Sequence, residues 1–197
     1  MYAYNPTTGA QLWKFDWTNQ PKVNAAQPIV RENQVFISSG YSAGCALLTL
    51  TLDKGEWSVD AKVNKNRFRM KFNDCVYKEG YVYGLDETIL SCIDFKTLKV
   101  QWKLRGKFGY GQVLLVGDSL LITTESGDVV FIPATPKRPK ETTRFRGLNR
   151  FVGTLQKKGT GWNQSVFIDG KLLMRNDREV ACYNLLKRKP LPDANAK

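Results

Sequence analysis

Few residues in this chain could carry out acid–base, nucleophilic or ligating chemistry, and they are scattered. There is no histidine, and the four cysteines, Cys45, Cys75, Cys92 and Cys182, form no C-x-x-C pair. The common zinc sites need clustered Cys and His, and Ser-His or Cys-His nucleophile pairs need an imidazole. The sequence therefore excludes both. Cys92 and Cys182 lie in the apolar runs ILSCI and VACY, where a free thiol is expected to act as a small buried hydrophobe. The even count leaves disulfides open if the protein is exported. Asp74, Asp86 and Glu87 are of a type that serves as a general base. Each stands beside a turn or strand end, so they are expected to be solvated turn residues. No catalytic residue and no metal ligand is assigned.

Polar residues recur in four short segments that lead into apolar runs: NAAQP (24–28), FND (72–74), GYGQ (109–112) and GWNQ (161–164). The candidate site residues are Asn73, Asp74, Gln112, Trp162, Asn163 and Gln164, a set of amides and an acid with one aromatic. Such a set can hold a ligand or peptide. It can equally satisfy backbone groups and bound water.

The elements that must position these residues are strands. Short runs alternate apolar and polar residues, are rich in Val, Ile, Tyr and Phe, and are separated by Gly, Asp and Asn turns. No window carries a helical period. The runs form a repeating unit, clearest in FNDCVYKEG, YVYGLDE, TILSCIDFKT and KVQWKLRG, in which the turns REN, KEG, GD and DG join first runs to second. Second runs begin near residues 34, 81, 119 and 171, so successive units lie 47, 38 and 52 residues apart. Four antiparallel strands every 40 to 50 residues or so describe a propeller blade. The fold expected is all-β, a partial β-propeller of four-stranded antiparallel blades, about four to four and a half of a seven- or eight-bladed ring. The repeats cover 1–189, with blades near 1–20, 24–66, 72–106, 111–150 and 162–187, and a tail at 190–197. In such a ring the six candidate residues lie at the channel mouth.

A spaced motif accompanies the repeat. AYNPTTGAQLW (3–13) and CIDFKTLKVQW (92–102) share an Asn or Asp, a Thr three places on and a Trp eight places on. The acid or amide starts a turn by bonding its own backbone. The Trp that follows suits burial between neighbouring blades. Ala3, Asn5, Thr8, Gly9 and Trp13, and then Asp94, Thr97 and Trp102, carry it, with Cys92 and Leu98 replacing the Ala and Gly of the first copy. LDKGEW (52–57) is a shortened form. This pattern resembles the tryptophan-docking motif of pyrroloquinoline-quinone-like (quinoprotein-like) β-propeller repeats. Segments such as RMKFNDCVYKEGYVYGLDETILSCIDF resemble the bacterial outer-membrane-assembly lipoprotein (BamB)-like branch.

The resemblance implies a non-catalytic scaffold that presents loops and a channel mouth to a protein, peptide or small ligand, in the periplasm or cell envelope. It also admits an alternative, the C-terminal half of a quinoprotein dehydrogenase, for which pyrroloquinoline quinone and calcium are cofactors by family resemblance only. No adjacent cysteine pair and no constellation matching that family's calcium or base positions is found. The strand count starts in mid-blade, so the chain is expected to be half of a longer propeller, and to form a homodimer if isolated. Lys plus Arg is 30 against 18 acids, a net charge of +12, which attracts anions. The late basic clusters, 137–140, 144–150, 157–158 and 186–189, make binding of an anionic polymer a third reading. No nucleic-acid-binding motif accompanies them, so nucleic acid is not an expected partner. No run approaches the length of a membrane-spanning helix.

Overall fold

A computed structural model describes residues 1–149 and 162–186. Among them are 17 strands and no helix, arranged in five antiparallel sheets. No helix long and apolar enough to cross a membrane is present among the described residues. The first sheet pairs β1 (Tyr2–Tyr4) with β2 (Gln11–Lys14). The second runs β3 (Ile29–Arg31), β4 (Gln34–Ser39), β5 (Gly44–Asp53) and β6 (Glu56–Asn64). The third runs β7 (Val76–Lys78), β8 (Tyr81–Asp86), β9 (Ile89–Asp94) and β10 (Val100–Leu104). The fourth runs β11 (Gln112–Val116), β12 (Ser119–Thr123), β13 (Asp128–Pro133) and β14 (Thr143–Arg146). The fifth holds β15 (Val166–Ile168), β16 (Lys171–Arg175) and β17 (Val180–Asn184). Every sheet is a meander, each strand pairing with the next in sequence. Two-residue turns close the first hairpin of sheets two to five, and Glu32, Glu79, Gly117 and Asp169 take positive φ at the first turn position. That backbone matches the right-handed twist of the flanking strands.

The core lies between the sheets. Because successive residues of a strand point to opposite faces, Val82 of β8 packs toward the second sheet with Phe36, while Tyr83 packs toward the fourth with Leu120 and Ile122. Leu121 turns the other way, against Leu172 and Met174 of the fifth. Trp13 sits with Val35, Ile37, Ala46 and Leu48 between the first and second sheets. Strands buried on both faces carry apolar residues in succession, which accounts for LLI in SLLIT and VFI in QVFIS reading as continuous rather than alternating.

The two spaced segments fold alike. Asn5 Oδ1 accepts the amides of Thr7 (2.9 Å) and Thr8 (3.1 Å), and Gly9 N donates to Asn5 O (2.9 Å). Asp94 Oδ1 accepts Thr97 N (2.7 Å) and its hydroxyl (2.8 Å), and Leu98 N donates to Asp94 O (2.9 Å). Gly9 and Leu98 occupy the same left-handed position, with φ of 73° and 58°. A side chain there costs roughly 1–2 kcal/mol. Leu98 offsets this by being buried with Phe36, Phe68 and Phe95. Trp13 then pairs with Ala3, and Trp102 with Cys92, across the closing hairpins. The shortened segment differs. β5 and β6 run past the last β4 pair at Gln34↔Thr49, so Leu52 and Trp57 form a cross-strand pair on a projecting hairpin and are exposed.

Cys182 corrects an expectation. It is exposed, because β17 turns Ala181 and Tyr183 toward the fourth sheet and Cys182 to the opposite face. That face, with Leu173 and Val180, is open to solvent, as are Tyr2, Tyr4 and Leu12 of the first sheet. Cys45, Cys75 and Cys92 are buried free thiols. Burial pushes Cys45 and Cys92 up to about 12, and Cys75 higher still. Thiolate is the reactive form, so Ellman's reagent should titrate one thiol rapidly in the native protein and four in denaturant. Rapid reaction of two or more native thiols would contradict this packing.

Candidate functional site

The lead-in segments meet at one end of the sheets, where the first strands of sheets three, four and five begin. Gln112 is buried, and its Nε2 donates to Phe72 O (2.9 Å) and to Trp162 O (3.0 Å). One side chain thus ties three segments together. Asp74 Oδ1 accepts Gln27 N (2.7 Å) and Oδ2 accepts Gln164 Nε2 (2.5 Å), linking sheets two, three and five. Asn163 Oδ1 accepts Arg175 Nη2 (3.3 Å). Asn73 is buried, its Nδ2 3.5 Å from both Leu85 O and Met70 Sδ. The six residues are therefore near neighbours in two roles. Asn73 and Gln112 are internal braces, and Asp74, Trp162, Asn163 and Gln164 line the surface. Asn73 Oδ1 and Gln112 Oε1 are buried without a hydrogen-bond partner. An unmet buried acceptor costs about 1–3 kcal/mol, which a bound water or ligand donor recovers.

The surface component is aromatic. The Trp162 ring stacks on Phe72, with centroids 4.6 Å apart and planes 15° off parallel, and Tyr110 meets both edge-on. Glu125 holds the group in place: Oε1 accepts Trp162 Nε1 (2.9 Å) and Oε2 accepts Tyr110 N (3.3 Å). The Lys71 ammonium donates to the Tyr110 hydroxyl (3.2 Å) and lies over the rings of Tyr110 and Tyr41. The Tyr110 hydrogen bond holds the Lys71 pKa above its ordinary value, against a smaller opposing effect of burial. Trp162 remains 42% exposed.

Phe72, Tyr110 and Glu125 were not among the candidate residues. A sequence signal for the first two exists. Gln27, Asp74, Gln112 and Gln164 each stand five residues before the first turn residue, Glu32, Glu79, Gly117 and Asp169. Phe72, Tyr110 and Trp162 each stand two residues earlier still, on the same side of an extended chain.

Asp86 corrects the reading of the carboxylates. It is 2% exposed rather than solvated, because the segment before β7 lays Arg69 against it and β10 supplies Lys103. Glu87 lies beside Arg69 and Lys71 at 3.8 and 3.9 Å. Among the described residues no three Asp, Glu or Cys side chains gather to hold a metal ion. Of the basic clusters, Lys137, Arg138 and Lys140 are exposed, while Arg144 and Arg146 pair with Asp128. Residues 150, 157, 158 and 187–189 lie outside the described residues, as does the tail at 190–197.

No protein-family model matches the chain, and no curated protein does. A solved structure does: BamB from Moraxella catarrhalis, at 13% identity and a TM-score of 0.57, with 93% of this chain and 54% of that one covered. The chain has a β-propeller fold. The sheets are its blades, and the shelf of Phe72, Tyr110 and Trp162 lies where the first strands of three of them begin. The chain spans about half the length of that neighbour. Likeness at this identity speaks for the fold alone.

Proposed function

We propose that this chain is a non-catalytic propeller platform of the cell envelope, which binds a protein or peptide partner on the end where the first strands of its third, fourth and fifth sheets begin. The observation that carries the reading is the aromatic shelf. Three rings from three blades are held by Gln112 and Glu125, and one of them, Trp162, stays open to solvent. Large aromatic rings are common anchors of protein contacts. Holding them in place beforehand lowers the ordering cost of binding. The location rests on the structural likeness to BamB.

The test is a photo-crosslinker, p-benzoylphenylalanine, placed at position 162 and, as control, at position 96 on the opposite end. A discrete protein adduct formed in cells from position 162 and absent from position 96 is the expected result. No adduct from 162, or the same adducts from both positions, would overturn the proposal.

A further inference from the structure

A second concavity lies between the first and second blades. Its volume is about 530 Å³, within the range of ligand pockets. Phe15, Trp17, Tyr41 and Val63 form its apolar wall and Lys65 stands in its lining. Phe15 and Trp17 stack with centroids 6.3 Å apart. Tyr41 and Val63 are 37% and 41% exposed.

The wall is held rigid. The strap that carries Phe15 and Trp17 is fixed by the buried Asn19, whose side chain donates to Ser39 Oγ (2.7 Å) and to Val23 O, and accepts Val23 N (2.8 Å). Tyr41 and Ser42 both take left-handed conformations, with φ of 54° and 65°, in a turn closed by Ala43 N donating to Gly40 O. Holding a tyrosine there costs free energy, and the Lys71 ammonium lies 4.9 Å from its ring centroid. One polar feature completes the site. The carboxylate in the lining, Asp16, is paired with Lys14 at 2.8 Å, whereas no carboxylate among the described residues pairs with Lys65.

We infer that this cleft is a second binding site, for an extended acidic peptide segment that presents an apolar side chain. The rings take the side chain, and a carboxylate meets Lys65. The net charge of +12 favours an acidic partner over a basic one. Lys71 lies over both Tyr41 and the shelf's Tyr110, but Lys65 and Trp162 each belong to one site alone, so variants at these two positions let either proposal fail without the other.

The probe is a fluorescein-labelled hexapeptide of alternating aspartate and phenylalanine, titrated with the full chain and followed by anisotropy. Saturable binding is expected, weakened at least tenfold by Lys65→Glu and by Tyr41→Ala, and unchanged by Trp162→Ala. Both weakening positions are exposed, and circular dichroism checks that the variants fold. Lys65→Glu alone decides the matter if Tyr41→Ala disturbs the turn. Absence of saturable binding, equally tight binding of a control hexapeptide with lysine in place of aspartate, or loss of binding only in Trp162→Ala would overturn the inference.

Discussion

Replacing Trp102 by alanine is expected to lower the unfolding free energy by about 3–5 kcal/mol, the range for truncating a large core aromatic. The indole is 5% exposed and fills the space between the third and fourth blades, beside Tyr83, with Leu120, Ile122 and Val130 in the same cluster. Its Nε1 also donates to Thr135 O at 2.9 Å, the one polar bond it makes across the blade interface. Truncation removes the ring, leaves a cavity that strands on both sides cannot collapse into, and orphans a carbonyl. Phenylalanine at the same position keeps most of the apolar contact and loses the hydrogen bond, so it should cost about 1–2 kcal/mol. At roughly 2–4 °C per kcal/mol for a chain of this size, Trp102→Ala should melt on the order of 10 °C lower. An unchanged melting temperature would mean that the blades do not depend on this ring. Trp13 is buried against the second blade but makes no such bond. Its replacement should cost less.

Much of this packing was legible because the same backbone problem is solved twice with interchangeable residues. A turn that needs an acceptor at its first position takes Asn5 in one blade and Asp94 in another. The tryptophan follows at the same offset because the strand that carries it starts at the same place. Identity between the two segments is low, but the spacing is fixed by geometry. The all-β class and the blade pattern follow from the same logic, since turn chemistry sets where each strand begins. Leu98 marks the boundary of that logic. Nothing local favours leucine at φ of 58°, and only its burial against the second blade accounts for it.

The site was legible only in part, for the same reason. Sequence position identifies what begins a strand, so Asp74, Gln112, Trp162 and Gln164 stood out. It does not reveal which segments converge after the blades wrap around an axis. Phe72 looks like an ordinary strand-flanking aromatic until Trp162, 90 residues away, stacks on it. Glu125 looks like a turn acid until it accepts from both Trp162 and Tyr110. Cys182 was placed by the apolarity of its neighbours, whereas its exposure depends on which face of β17 meets another blade. Asp86 failed as a solvated turn residue because its partners come from a connecting segment and an outer strand.

Asp86 therefore leads to the second large effect. Its Oδ1 accepts the amide of Arg69 (3.0 Å) and the Arg69 Nε (3.1 Å), and its Oδ2 accepts the Lys103 ammonium (2.5 Å). The amide bond fixes the segment that carries Phe68 and Met70 into the core between the second and third blades. Asp86→Ala should cost about 3 kcal/mol, the lower end for breaking a buried ion pair, because Arg69 and Lys103 are partly exposed and can turn to water. Asp86→Asn keeps an oxygen for the Arg69 amide and should cost less. Burial alone would raise the Asp86 pKa, but the hydrogen bonds from Lys103 and Arg69 outweigh it and hold the carboxyl below the ordinary carboxylate range. A group whose pKa is lower folded than unfolded stabilises the fold fully above its unfolded value, near 3.9, and loses that contribution as pH falls through the folded value. The stability difference between the wild type and Asp86→Asn should therefore be flat from neutrality down to about pH 5. It should shrink below about pH 4 as the wild-type carboxyl takes up a proton. Urea titrations of both proteins across that range measure it. A difference that grows on acidification would mean that the carboxyl is protonated more readily in the folded state, and that Arg69 and Lys103 do not hold it.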